Sequence, residues 1–345
     1  MNRNSSFFIR AFSISLVLAV FTGSFIFTHL LTPVSFNKKW VEVEIPEGAS
    51  YAKGISILME NGVLQNRFAF LLLGKITASE RMLKPGYYHL SSSMSPMQIF
   101  DDLIKGKTIQ YSITIPEGST LKDIKKRFED TALVDDDGWQ LAYDEDFLSS
   151  LNIDAPTIEG YLYPDTYSFS KGTGPEVIFK IMVQRLRDIF DETLMARAKE
   201  LDMTENDVLT LASIIEKEAV FDSERPLISA VYHNRLRKNM KLQADPTVLY
   251  GIKRRWKRIR YKDLKRATPY NTYVIRGLPP GPIASPGEKS IRAALYPAHV
   301  NYIYFVSKND GTHYFSTTGE EHVKAVTLYQ INGGKEPQDA KEAIN

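Results

Sequence analysis

Leu211-Ala212-Ser213-Ile214-Ile215-Glu216-Lys217-Glu218-Ala219 reads as the end of an apolar helix that closes on two acids. Thr204 supplies an N-cap, and Asp207, three residues on, completes a capping box. Val208, Leu211, Ala212, Ile215 and Ala219 recur at i, i+3, i+4, i+7 and i+11, which is one face of a helix. Glu218 falls at one edge of that face and Glu216 at the other, because residues two apart do not share a side. Lys217 points away. Periodicity nominates either glutamate as a half-buried acid and does not choose between them. A carboxyl beside apolar surface holds its proton toward neutral pH, as a general acid at a glycosidic bond must. The plainer reading is a solvated, charged helix end.

The segments that follow weigh against the plainer reading. Leu242-Gln243-Ala244-Asp245-Pro246-Thr247 gathers an amide, a carboxylate and a hydroxyl around one proline turn. Tyr270-Asn271-Thr272-Tyr273 offers an amide between aromatic faces, a surface suited to sugar rings. Gly277 to Gly287 holds four prolines and three glycines in eleven residues, too stiff for a flexible linker, and predicts a rigid cleft wall. Each segment taken singly is a turn or a loop.

Upstream, two stretches look like copies of one unit. Val41-Glu42-Val43-Glu44-Ile45-Pro46-Glu47-Gly48 and Tyr111-Ser112-Ile113-Thr114-Ile115-Pro116-Glu117-Gly118 each predict a strand and a Pro-Glu-Gly turn. A hydroxyl cap and an amphipathic helix follow in both, with Thr120 and Asp123 forming a capping box in the second. Residues 41–107 then close through the turn and strand at Lys84 to Leu90 and a helix near Met97 to Ile104. Residues 108–330 form a larger mixed unit, with helices near 175–200 and 204–220. A strand at Tyr302 to Val306 and a hairpin through Asn309-Asp310-Gly311 come later. Residues 331–345 are a polar tail. The expected class is α+β: an N-terminal span, a small module and a larger mixed domain.

Ala11 to Pro33 carries no charge with His29 neutral, and a spanning helix needs roughly 20 apolar residues. Arg3 and Arg10 precede it, so residues 1–10 are expected in the cytoplasm and 11–33 in the membrane, with the rest beyond it. A cleaved signal peptide would have a shorter apolar run, and here Phe25 and Phe27 extend it.

With 345 residues, 43% hydrophobic and 24% charged, the chain is long enough for about two domains and too apolar to be disordered. A net charge of +2 does not call for a polyanionic partner, and no nucleic acid is expected. Lys253 to Arg266 has nine basic residues in fourteen, with Trp256 and Tyr261 interleaved. Outside the membrane this is a solvated face, or a contact for anionic headgroups or stem-peptide carboxylates. There is no cysteine, so thiolate nucleophiles and thiolate metal sites are excluded. The six histidines show no HExxH spacing, and neither GxSxG nor GxxxxGK[ST] occurs, so neither metal nor cofactor is expected.

Taken in order, E-K-E, Asn234-Arg235-Leu236, L-Q-x-D-P-T, Y-N-T-Y, G-L-P-P-G-x-I-x-x-P-G and His313-Tyr314-Phe315 resemble the YceG-like endolytic murein transglycosylases. The resemblance covers most of residues 41–330. Ala244 stands where that family often has Ser or Thr, and nothing catalytic depends on it. The resemblance implies that the second glutamate of E-K-E, Glu218, is the catalytic acid and that residues 41–107 are a LysM-like module. It implies a lyase that cuts between N-acetylmuramic acid and N-acetylglucosamine and leaves 1,6-anhydro ends. Asn234, Arg235, Gln243, Asp245, Thr247, Tyr270, Asn271 and Tyr273 are then expected to bind or position the sugar. The expected partners are peptidoglycan strands, the inner membrane that carries the anchor and, beside them, the wall synthases. Two other readings stay open at this point: a non-catalytic wall-binding scaffold, and a muramidase that pairs Glu218 with Asp245. A soluble pyridoxal-phosphate lyase would need a Schiff-base lysine and no anchor.

Overall fold

The computed structural model describes residues 3–79, 81–131, 133–250, 252 and 259–333. The chain has mixed α+β character behind an N-terminal apolar helix, and it divides into two compact units. The first takes in Met1–Ser112 and Ser168–Thr173, the second Ile113–Tyr167 and Gly174–Asn345.

In the first unit, α1 (Arg3–Leu31) runs unbroken, and its stretch Phe12–Leu31 is long and apolar enough to cross a membrane. β1 (Trp40–Ile45) leads through the Pro-Glu-Gly turn to α2 (Tyr51–Glu60), where Ser50 accepts from the Lys53 N–H. α3 (Arg67–Ile76) is capped in the same way by Asn66. β2 (Gly86–Ser91) returns antiparallel to β1, pairing Trp40 with Ser91 and Ile45 with Gly86. α4 (Pro96–Lys105) begins with a capping box of Ser95 and Gln98 and stops at Gly106, whose φ of 72° suits a helix end. Alternation along the strands turns Val43, Ile45, Tyr88 and Leu90 inward, onto Ile55, Leu58, Phe70, Ile99 and Leu103.

β3 (Gln110–Thr114) pairs with a later strand, and the division between the units falls within both. α5 (Leu121–Phe128) follows with the capping box of Thr120 and Asp123, so both Pro-Glu-Gly stretches form a strand, a turn and a capped helix. The likeness ends there. α6 (Glu145–Ser150) and β4 (Thr166–Ser170), the partner of β3, come next. The helical stretch expected near 175–200 is two helices, α7 (Pro175–Ile189) and α8 (Glu192–Glu200). The break falls where Asp191 turns its side chain to cap α8.

α9 (Glu205–Glu218) is the centre of the second unit. Every residue from Val208 to Ile215 is buried, not one face alone. The reason is its neighbours: α8, α10 (Arg225–Arg237), α11 (Asp245–Leu249) and α13 (Glu288–Leu295), the last reached after the short α12 (Tyr261–Leu264). Its polar residues in that run are Thr210 and Ser213: Ser213 Oγ donates to the Thr210 carbonyl at 2.8 Å, and the Thr210 hydroxyl is buried with no hydrogen-bond partner among the described residues. β5 (Tyr304–Ser307) and β6 (His313–Ser316) form the expected hairpin, with Asn309 and Gly311 at positive φ, and α14 (Gly319–Val326) packs behind it. β5 starts two residues later than the sequence suggests, because Val300, Tyr302 and Ile303 give their carbonyls to the side chains of Asn234 and Arg235.

The Gly277–Gly287 segment corrects an expectation. It runs as a strap along α9, and Pro280 lines a cavity with Pro156 and Asn206, not the cleft that holds Glu218. The Ile283 N–H donates to Ser213 Oγ at 3.0 Å, and the Gly287 N–H to Glu216 Oε2 at 3.0 Å. Ser285 exchanges backbone hydrogen bonds with the turn at Gly118 and Ser119. Its stiffness serves packing. The core of the basic stretch, Lys253 to Arg258, and most of the polar tail lie outside the described residues.

Candidate active site

α9 ends by pointing its two acids at different surroundings. Glu216 accepts from Arg225 Nη2 at 3.3 Å and from the Gly287 N–H, the residue that caps α13. Arg225 in turn reaches Asp222 and Ser290. Glu216 is therefore a structural joint between α9, α10 and α13. Glu218, half a turn on, pairs with no cation among the described residues. Tyr232 from α10 donates its hydroxyl to Glu218 Oε1 at 3.2 Å. Burial pushes the Glu218 carboxyl up to about 7, the negative charge of Asp245 pushes the same way, and the Tyr232 hydrogen bond opposes both. Tyr232 itself, fully buried beside that carboxyl, is held well above the ordinary phenol range.

Glu218 lies in a cleft of about 360 Å³. Asp245 and Tyr273 line it with Gln243 and Arg235 on one side, and the β5–β6 hairpin contributes Phe305 and His313. Tyr273 donates to Asp245 Oδ1 at 2.6 Å, and burial together with that carboxylate raises the phenol. Gln243 sits at φ +52°, a left-handed conformation uncommon for a side chain of this length. Its backbone is held there by the Thr272 carbonyl, and its side chain accepts from Arg235 Nη1 at 3.1 Å. Strain held by its neighbours is a recurrent feature of functional loops.

Arg235 lines the cleft, but most of its donors are occupied. Nε donates to Ile303 O at 2.7 Å, and Nη1 to the carbonyls of Lys241 and Leu242. The guanidinium lies 5.2 Å from the Tyr304 ring centroid. It clamps the 241–243 loop to β5 and so sets the position of Gln243.

Four of the expected site residues do not line this cleft. Asn234 is buried and donates to the carbonyls of Val300 and Tyr302. Asn271 donates to three carbonyls, those of Asp263, Leu264 and Arg266, and accepts from the Tyr273 N–H. Thr247 shares a 2.9 Å contact with Thr272 Oγ1 under the 244–247 turn. Tyr270 stands against Tyr250, ring centroids 4.6 Å apart, beside a second buried carboxyl. That carboxyl is Glu159, which accepts from the Leu121 N–H at the start of α5 and from the Tyr250 hydroxyl, and which burial pushes up to about 7.

Two groups were not in the expected set. Tyr232 sits two positions before Asn234 on α10, and nothing in the local pattern marks it. His313 belongs to the H-x-F signal. Its partner Glu224 takes both its backbone N–H, at 2.9 Å, and its Nδ1, at 2.7 Å, across 89 residues of chain. Among the described residues no three His, Cys, Asp or Glu side chains are grouped to hold a metal ion.

The chain is similar to known proteins over most of its length. The model of the YceG-like family matches residues 43–328. A Bacillus subtilis protein named endolytic murein transglycosylase is 36% identical over 327 residues, covering 89% of this chain and 90% of that protein. A Streptococcus pneumoniae protein of the same name is 30% identical over 360 residues, 92% of this chain and 64% of the longer relative. Among solved structures, a yceG-like protein from Listeria monocytogenes is 37% identical with a TM-score of 0.57, covering 84% of this chain and 99% of that one.

Proposed function

The chain belongs to the YceG-like family, and on that premise we propose that it is an endolytic murein transglycosylase anchored in the cytoplasmic membrane by α1, with Glu218 as its acid and base. The observation that carries the assignment is the state of Glu218: a carboxyl raised to about 7 in a cleft, with no cation paired to it among the described residues and a phenol on one oxygen. An acid that titrates near neutrality can both give and take a proton at working pH.

The substrate is the glycan of peptidoglycan. With Oε1 occupied by Tyr232, the proton rides on Oε2. It passes to the oxygen of the departing N-acetylglucosamine as the bond to muramic acid C1 breaks. The oxocarbenium-like charge at C1 is met by the sugar's own acetamido group or by the Asp245 carboxylate. Glu218, now ionised, takes the proton of the muramic acid C6 hydroxyl, whose oxygen bonds to C1 and closes a 1,6-anhydro ring. No water is consumed, so one carboxyl suffices. Asp245, Gln243 and Tyr273 position the sugar, and Arg235 holds their loop. The first unit, two paired strands enclosing two helices, supports the reading of residues 41–107 as a LysM-like glycan-binding module. The catalytic unit then faces the wall, next to the synthases that make new strands.

The test is a peptidoglycan digest by the full chain beside its Glu218→Gln variant, read by mass spectrometry. Anhydro-muramic ends, one water lighter than reducing ends and missing with the variant, are expected. Reducing ends would make the protein a muramidase with Asp245 as second carboxylate. No cleavage by folded protein would leave a wall-binding scaffold.

A further inference from the structure

We propose that the exposed side of α3 lies in the outer face of the bilayer beside α1, so that the first unit is seated on the membrane. This rests on reading α1 as a membrane anchor.

α3 reads Arg-Phe-Ala-Phe-Leu-Leu-Leu-Gly-Lys-Ile, apolar all round except for one cation in its first turn and one in its last. Such a helix belongs wholly inside apolar surroundings. Only half of it is inside: Ala69, Phe70, Leu73 and Gly74 are buried. On the other side Phe68 is 65% exposed and Ile76 72% exposed, with Leu72 between them at the four-residue spacing that makes one stripe.

What covers the stripe follows from α1. The core of the first unit includes Leu30, and Ile26 packs against it. α1 touches both α3 and α4. The apolar span runs Phe12–Leu31. At 1.5 Å per residue, Ile26 lies about 7 Å inside the outer end of that span. The core of the unit is therefore continuous with a part of α1 that stands within lipid. α3, in contact with that part, is held at the depth of roughly 5–10 Å where interfacial helices bury their apolar side. Arg67 and Lys75 flank the stripe; Arg67 Nη1 donates to Ser56 Oγ at 2.9 Å, and the exposed Lys75 can reach headgroup phosphates while its stem stays against lipid. A second copy or another protein's helix would also cover apolar surface. Only the bilayer is already required at this place by α1.

The chain has no cysteine, so single probes can be placed without background. Phe68→Cys, Ile76→Cys, Leu18→Cys in the span and Lys199→Cys on exposed α8 are labelled with bimane. The full chain is reconstituted in phosphatidylglycerol–phosphatidylethanolamine vesicles carrying doxyl-labelled lipid at two depths. Several-fold quenching at 18, 68 and 76 but not at 199 is expected, with 68 and 76 answering best to the shallow quencher. Quenching at 18 alone overturns the proposal and leaves the anchor standing. An emission at 68 and 76 shifted to the blue without lipid quenching means a protein partner, and also overturns it. No quenching at 18 removes the anchor and the proposal together.

Discussion

The hydroxyl of Tyr232 donates to Oε1 of Glu218 across 3.2 Å, and this contact favours the ionised carboxylate against burial and Asp245. The balance of these three influences sets the protonation of the proposed acid, so each can be tested by removing it.

Tyr232→Phe removes the opposing influence. The Glu218 pKa rises, and the alkaline limb of the rate profile moves above its wild-type position near 7. Asp245→Asn removes a charge that raises the pKa, and the limb moves down. Losing the hydrogen bond costs about 1 kcal/mol, or roughly fivefold in turnover. Rates of glycan cleavage between pH 5 and 9 read both shifts, and displacement in the same direction would refute the assignment.

Stability carries the same signature. Glu218 and Glu159 are raised above their unfolded value of 4.5 to about 7. A group raised in this way contributes stability that is full below its unfolded pKa and is lost as pH rises through the folded one. The protein is thus expected to weaken between about pH 4.5 and 7. Glu159→Gln keeps the side chain's shape and removes the buried charge, so it should melt higher than wild type at pH 8 and no higher at pH 4. Thermal melts across that range decide it.

Glu216 should fail in the opposite sense to Glu218. Its pairing with Arg225 is nearly closed to solvent, the side chains 7% and 8% exposed. Glu216→Ala leaves the guanidinium without one of its two carboxylates, at a cost of roughly 3 kcal/mol. Denaturant midpoints should fall well below wild type, while cleavage per folded molecule below the transition persists. Glu218→Gln should remain folded and inert.

Asn271 is a structural residue in this arrangement, since its amide gathers three carbonyls of the 263–266 turn. Asn271→Ala should cost about 2 kcal/mol of stability with KM unchanged. A rise in KM without destabilisation would return Asn271 to the sugar-binding set.

Much of the fold is legible in local chemistry. The caps at Thr120 and Thr204 fall where a hydroxyl and the acid three residues on announce them, and the cap at Ser50 falls on its hydroxyl alone. The hairpin through Asn309 and Gly311 needs positive φ, which those residues tolerate. Less legible is whether a stiff segment is a wall or a strap. Gly277 to Gly287 has the composition of either, and the partner that decides, Ser213, stands 70 residues away.

Capping and periodicity act within a few residues, so local sequence is enough to start α9 after Thr204, run it apolar to Ile215 and end it on two acids. Which acid escapes an ion pair depends on packing between distant segments. A pKa answers to what surrounds the group, and the surroundings of Glu216 and Glu218 arrive from elsewhere in the chain. Arg225 and Gly287 claim one, while Tyr232 and Asp245 enclose the other. Residues two apart on a helix point to opposite sides, so packing gave these neighbours different fates.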